Sequence, residues 1–472
     1  MKLASWRTRL ASPLLAGALA LLPAVAAADE FHFETFRFGQ RAMGMGGAVT
    51  AYADEPEASY YNPAGLAMLS GTRFSGALNF VGLDRRVLTD GLRAGSLLTP
   101  QDLESSDFLP IPGSSVLTTD FGEGRHVLGL ATFLHSDSEE RFSGARTQTQ
   151  DGSFASARTS VERRREDEIG LRGLVYGFRV SRDFAVGGAL LLASQERTEV
   201  NRRAEVLQRR STGDSVFVDA STREDTTTHS LLARIGVLWR PSEQWSYGLA
   251  CSSPSLTLLG EADLSYTRIV SGDPDAGERP LLIDQRATPD AVTVLPAHCR
   301  GGLAWRVPEK LVLTFDISAH FPTGYDRFEL TNGLEARAAQ LGERVEGDLT
   351  VNAGLGVEWR PSPRVPLRMG VFTNRTQAPE ISAQPTELGP PHVDLYGVTL
   401  SGGYLGDDRS INLGAELQVG EGHDALPSDL TSLIEDRDFR RIDRQEWRVV
   451  FFVSGAVAFA KKQATEIMEA WK

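Results

Sequence analysis

The residue types that do chemistry are sparse in this chain of 472 residues. None of its eight histidines stands in a His-x-x-x-His spacing, the arrangement that turns two imidazoles toward one metal. No Gly-x-Ser-x-Gly elbow presents a serine nucleophile. Gly44-x-Gly46-Gly47 has glycines of a phosphate-cradling loop, but no strand precedes it and no Lys-Ser/Thr pair follows. It reads as a turn. The sequence therefore predicts no enzyme and neither cofactor nor metal. What remains is binding chemistry. Arg234, Arg300, Asp316, Glu358 and Glu416 fall on one face of alternating segments. An arginine there offers a bidentate fork to a carboxylate; the competing use of the five is a salt-bridged brace. Arg234, Arg300, Phe372 and Phe452 are the candidates for a ligand pocket. Cys251 and Cys299 are the only cysteines, too few for a disulfide scaffold or a multi-cysteine metal site.

The segments that carry these residues have a period of two. From Leu311 to Phe321, Leu313, Phe315 and Ile317 alternate with Thr314, Asp316 and Ser318. Leu349 to Trp359, Leu231 to Trp239 and Ile411 to Val419 repeat the pattern, which is that of a strand. A sandwich with its apolar face turned inward would also alternate. Three details favour a membrane barrel. The runs span about 9–13 residues, the length a tilted strand needs to cross a bilayer. Trp239, Trp245, Trp305, Trp359 and Trp447 stand near run ends, where an interfacial girdle places them. Short turns alternate with long charged connections, roughly 87–113, 143–165, 201–226, 268–292, 328–346, 376–391 and 420–445 by this reading. The expected fold is all-β, a transmembrane antiparallel barrel of about fourteen strands over residues 73–460.

Composition narrows the partners. A net charge of −13 argues against nucleic acid. The one long apolar run lies in residues 1–28, where Lys2, Arg7 and Arg9 precede an apolar stretch and small residues, the pattern of a signal peptide. No later stretch reaches the roughly 18 apolar residues of a spanning helix. The 46 glycines exceed the usual share of about 7%.

Residues 29–72 do not alternate and are dense in small residues, with turn signals at Gly44–Gly47 and at Asn62-Pro63-Ala64-Gly65. A fourteen-strand barrel has room for such a plug, because only barrels of about eight strands are filled by their own side chains. Gly44, Gly46, Gly47, Asp54, Asn62, Pro63, Ala64 and Gly65, with Tyr60-Tyr61 before them, resemble the N-terminal hatch of the FadL-like outer-membrane transporters of long-chain fatty acids and other hydrophobic compounds. The resemblance implies a monomeric barrel plugged by its hatch. It implies cargo caught at an outer-facing groove, passed to an inner pocket near the start of the mature chain and, on rearrangement of the hatch, released sideways into the bilayer through a kink in the third strand. The third strand here runs Gly129 to Asp137 without proline, a departure from the pattern on which that kink depends. The chain also overshoots Phe459, the expected terminal aromatic, by a tail at 461–472.

Cys251 and Cys299 fall on neighbouring predicted strands at nearly the same height and parity. Cross-strand neighbours lie about 4.5–5.5 Å apart and an exported protein is oxidised, so a disulfide is possible; the alternative is two packed thiols. Charge runs such as Glu162 to Glu168 and Asp436 to Asp443 read as solvated loops or contacts to lipopolysaccharide. The expected function is uptake of long-chain fatty acids or hydrocarbons across the outer membrane, the partners being those molecules and outer-membrane lipid. The alternatives are a porin for small polar solutes and a structural barrel with a vestigial hatch.

Overall fold

The computed structural model describes residues 31–459, apart from 93–100, 108–109, 152–153, 211–212, 273–280, 333, 335–340 and 428–438. The leader expected over 1–28 and the tail at 461–472 lie outside the described residues. Alternation does give strands. They are β1 (Thr72–Leu92), β2 in two pieces (Gln101–Asp107 and Pro110–Phe121), β3 (His126–Asp151), β4 (Phe154–Arg179), β5 (Phe184–Arg209) and β6 (Ser215–Trp239). Then come β7 in two pieces (Trp245–Ser252 and Leu256–Ser271), β8 in two pieces (Leu281–Ala287 and His298–Val307) and β9 (Leu311–His320). The last are β10 (Thr350–Ser362), β11 (Val365–Asn374), β12 (His392–Leu405), β13 (Arg409–Pro427) and β14 (Phe439–Phe459). All pair antiparallel with their neighbours, and β1 against β14, with Thr72 opposite Phe459, closes a barrel of fourteen strands.

Which face is exposed decides what kind of barrel this is. On β9 the apolar residues Leu313, Phe315 and Ile317 are exposed, and Thr314, Asp316 and Ser318 are buried. The same inversion holds for Leu355 against Asn352 and for Leu413 against Asn412. Apolar side chains in a continuous outer belt need a hydrocarbon solvent. Trp239, Trp245 and Trp359 are exposed at the short-turn rim of that belt, where their amphipathic rings suit the interface.

The long connections are largely not loops. β3, β4 and β5 each run 26 residues, which at about 3.3 Å per residue carries them far beyond a hydrocarbon core of about 30 Å. The charged segments 143–165 and 201–226 are mostly strand, because their charges alternate too and meet partners across the ladder. Arg165 reaches Glu199 at 3.0 Å, and Arg202 reaches Asp219 at 2.7 Å. Within Glu162 to Glu168, Arg163 and Asp167 are buried, which corrects the reading of that run as a solvated loop. The described part of the second run, Phe439 to Asp443, is strand as well, with Ile442 buried. The second strand likewise begins earlier than its alternation suggests, since Gln101–Asp107 pairs with β1 ahead of Pro110 and Pro112.

Residues 31–71 fill the barrel at its short-turn end. Two short helices, α1 (Gln40–Gly44) and α2 (Ala58–Tyr61), and a 3-10 turn at Pro63–Met68 give them shape. Gly46 and Gly47 have φ of 62° and 79°, a conformation glycine adopts without penalty. Wall glycines let this inner segment lie backbone against strand. A Cβ on Gly187 would stand 2.3 Å from the Pro63 carbonyl carbon, one on Gly248 2.2 Å from the Thr50 oxygen, and one on Gly370 2.2 Å from the Gly46 nitrogen.

Candidate functional site

The inward residues of β6 show the layering of the lumen. From the short-turn end the first of them are Leu238, Gly236, Arg234, Leu232, Ser230, Thr228, Thr226 and Glu224, all buried. Leu238 packs with Ala64 and Ala67 of the inner segment. Arg234 and Leu232 border a cavity. Glu224 belongs to an ionic layer above it.

Arg234 and Arg300 share that cavity, with Ser252, His298 and His320 on the wall and Phe33 and Tyr60 on the inner segment. The two arginines are held differently. Arg300 donates to Glu34 Oε1 at 2.7 Å and to the Gly47 carbonyl at 3.2 Å. Burial opposes ionisation of Glu34, but Arg300 and the Ser318 hydroxyl outweigh it and hold that carboxyl below its ordinary value. Arg234 donates from Nε to Ser252 Oγ at 2.7 Å and from Nη1 to the Tyr60 carbonyl, and its guanidinium lies 5.0 Å from the Tyr60 ring centroid. Among the described residues no carboxylate pairs with it. A buried cation without a counter-charge is costly, so this position favours an incoming anion.

The remaining lining joins aliphatic residues, Leu171, Leu232 and Leu295, to an aromatic cluster. Phe33 stacks on His320 at 5.1 Å and on His135 at 6.3 Å, and His298 stacks on His320 at 5.1 Å. Tyr60 Oη lies 2.6 Å from His135 Nδ1. Burial, ahead of the opposing Arg234, pushes the Tyr60 phenol up to about 12, so it keeps its proton beside the imidazole. The cavity volume is about 30 Å³, room for about two or three waters; a larger occupant must displace lining side chains.

Phe372 and Phe452 are not on this cavity. Phe372 lies under the Arg37 guanidinium, 3.2 Å from its centroid, and Phe452 packs with Met43 and Ala77. Of the other inward charges, Glu416 holds Arg37 at 2.8 Å, Asp316 accepts from Thr50 N at 2.9 Å, and Glu358 accepts from Arg368 at 2.6 Å. In the N-terminal motif, Asp54 pairs with Arg41. Asn62 accepts from Ala64 N at 3.2 Å and donates to the carbonyls of Thr50 and Val237 at 3.0 and 2.9 Å. Pro63 abuts Gly187, and Gly65 lies against the Ala53 carbonyl. Gly44 meets Ser401 and Arg368 of the wall.

Cys251 and Cys299 lie opposite each other on β7 and β8 and are joined as a disulfide. The third strand is irregular despite lacking proline. Leu134 faces Gly170 and Ser136 faces Ile169, so His135 is an extra residue, a β-bulge. Inward parity accordingly passes from Ala131 and Phe133 to Ser138 and Glu140. His135, His298, His320 and Phe33 were not singled out by sequence. Parity was the available signal for two of them, since His298 is two residues from Arg300 and His320 four from Asp316.

The ionic layer fills the lumen toward the long-loop end. Arg444 bridges Asp424 at 2.8 Å, Glu446 at 2.6 Å and Glu140 at 2.5 Å. Arg163 joins Asp424 at 3.0 Å, Arg448 joins Asp84 at 2.9 Å, and Arg327 joins Glu224.

No family model and no curated protein matches this sequence. Solved structures do match its shape. A Pseudomonas aeruginosa FadL homologue superposes with a TM-score of 0.56 at 14% identity, covering 91% of this chain and 100% of that one. The P. putida toluene transporter TodX gives 0.54 at 14%, covering 90% and 99%. CymD, a monoaromatic hydrocarbon channel, gives 0.52 at 11%, covering 89% and 97%. The protein is an outer-membrane β-barrel. Its fold is the FadL type.

Proposed function

We propose that the protein transports hydrophobic compounds across the outer membrane and that its cargo carries a carboxylate, as long-chain fatty acids do. The inner segment acts as the hatch, and Arg234 receives the headgroup. The observation that carries this reading is Arg234 itself, buried on the cavity wall with no acidic partner among the described residues. A plain hydrocarbon leaves that cation uncompensated. A second reading, a neutral aromatic cargo like that named for TodX, draws support from the Phe33–His320 stack. A porin for polar solutes fits poorly, since the inner segment and the ionic layer both cross the bore.

Binding of oleate and of toluene to the purified barrel separates the readings. A charge-assisted hydrogen bond contributes about 1.5–3 kcal/mol, so Arg234→Ala should weaken oleate binding about tenfold to hundredfold and leave toluene unchanged. Equal binding of oleate by the variant and the parent would remove the carboxylate assignment. Arg300→Ala, which frees Glu34 as well, should cost more stability than affinity.

A further inference from the structure

A carboxylate on Arg234 fixes one end of the cargo and leaves its body open. The body must suit the surfaces that share the cavity with that arginine. The leucines would suit any apolar group, but the rings are more particular. Phe33 stacks on His320 at 5.1 Å with the planes 23° apart, and on His135 at 6.3 Å with the planes 21° apart. His298 continues the row from His320 at 5.1 Å and 27°. The three imidazoles come from three different strands, β3, β8 and β9, and all border the cavity beside Arg234. Near-parallel rings at such separations are offset stacks, in which the electron-rich face of one ring meets the electron-poor edge of another. A polymethylene chain has no such charge pattern. Laid on imidazole, it covers polar nitrogens without returning a hydrogen bond.

One ring of this row does not belong to the wall. Phe33 comes from the inner segment, and the residues on either side of it are tied. His32 donates from Nε2 to the Val393 carbonyl at 2.8 Å, and Glu34 accepts from Arg300 at 2.7 Å. Phe33 has no polar atom to tie. It packs against the lumen core and stays half-buried. The other inner-segment rings on the cavity are held by their hydroxyls, Tyr60 beside His135 at 2.6 Å and Tyr61 by the Phe38 N–H at 2.9 Å. Rotation of the Phe33 side chain, with the backbone held on both sides, therefore uncovers the face of His320. The space released is that of one benzene ring, in the same cavity as an uncompensated guanidinium. Toluene, the cargo named for TodX, would bring a ring without a charge. A fatty acid would bring a charge without a ring.

We propose that the cargo is an aromatic carboxylate, a planar ring with its acid on a short linker, and that Phe33 is its internal stand-in. The cargo ring takes the place of Phe33 on His320, and its carboxylate goes to Arg234. His135 and His320 thus select for aromaticity and Arg234 for charge. The proposal rests on the reading that Arg234 receives a carboxylate, and its test keeps the two apart.

Three matched probes are titrated calorimetrically into the purified full-length barrel in detergent. Hydrocinnamate repeats the Phe33 side chain and adds a carboxylate. Cyclohexanepropionate keeps the size and charge without the π system, and hydrocinnamyl alcohol keeps the ring without the charge. Hydrocinnamate should bind about threefold to tenfold more tightly than the cyclohexyl acid, the worth of an aromatic pair, although the cyclohexyl acid is the more hydrophobic. It should exceed the alcohol about tenfold or more, as a charge-assisted hydrogen bond requires. Phe33→Ala, which vacates the place, should tighten hydrocinnamate. His320→Leu should bring the two acids to equal affinity and keep their margin over the alcohol, whereas Arg234→Ala should remove that margin and keep the preference for the ring. Equal binding of the two acids by the folded parent and by folded Phe33→Ala would overturn the aromatic assignment while leaving the carboxylate reading in place. Failure of folded Phe33→Ala to bind hydrocinnamate would overturn it as well. A ring preference with no margin of acid over alcohol would overturn the proposal and the carboxylate reading together.

Discussion

The two ends of the lumen are filled by opposite means. At the short-turn end the filler is backbone, and the wall makes room for it with glycine, as at Gly187 under Pro63 and Gly248 under Thr50. At the long-loop end the filler is side chain, with Arg444 fanned across Glu140, Asp424 and Glu446. Shape holds the first and charge holds the second. Close packing has no tolerance for an added methyl group. A paired charge lattice tolerates shape changes but not the loss of one partner, which strands the other charges. The cavity with Arg234 lies where the two regimes meet.

The sharpest way to break this contrast is to add one carbon at a tight seat and, as a control, one at an open position of the wall. Gly187→Ala should unseat the inner segment and turn a quiet barrel into one with steady openings in planar bilayers. Gly301→Ala, where a Cβ meets nothing within 4 Å, should remain silent. Quiet recordings from both would show that glycine contact does not set the seal. Next in size is Arg444→Ala. Removing the cation that bridges three carboxylates, of which Asp424 keeps Arg163, should cost about 3–5 kcal/mol, seen as protease sensitivity confined to the long-loop end with the short-turn end still closed. Protection equal to the parent would mean the charges rearrange freely.

The smallest effect concerns acidity at the inner segment. Burial, with Glu55 nearby and against the Ser75 hydroxyl, raises the Glu57 carboxyl from 4.5 to about 8. The folded state therefore holds a proton that the unfolded chain loses above about 4.5. Its stabilising contribution is complete below that pH and declines as pH rises toward 8. Protection factors across residues 55–62, corrected for the intrinsic pH dependence of exchange, should fall over that window in the parent and stay level in Glu57→Gln. An identical profile in the variant would assign the effect to other groups.

Much of the wall was legible because each inward position has an outward neighbour of opposite character, and Leu313 beside Thr314 is enough to set a face. The opposition of Cys251 and Cys299 followed from the same counting. Counting fails where a residue is added, as at His135, because every later parity flips. It fails also where both faces are polar, which is why Arg163 and Asp167 read as loop although they are buried strand. The cavity was half visible. Arg234 and Arg300 share the parity of the lumen, but Phe33 comes from a segment with no period, and nothing local says that it stacks on His320.

The glycine seats carry a consequence for assembly. Barrel closure joins β1 to β14, with Thr72 against Phe459 directly after the inner segment ends. Gly370 leaves no clearance beyond the Gly46 backbone, so residues 31–71 and the closed wall fit one another in one arrangement. Seating of the N-terminal segment and the register of the wall are therefore coupled, so one added methyl group on a wall glycine is felt by both.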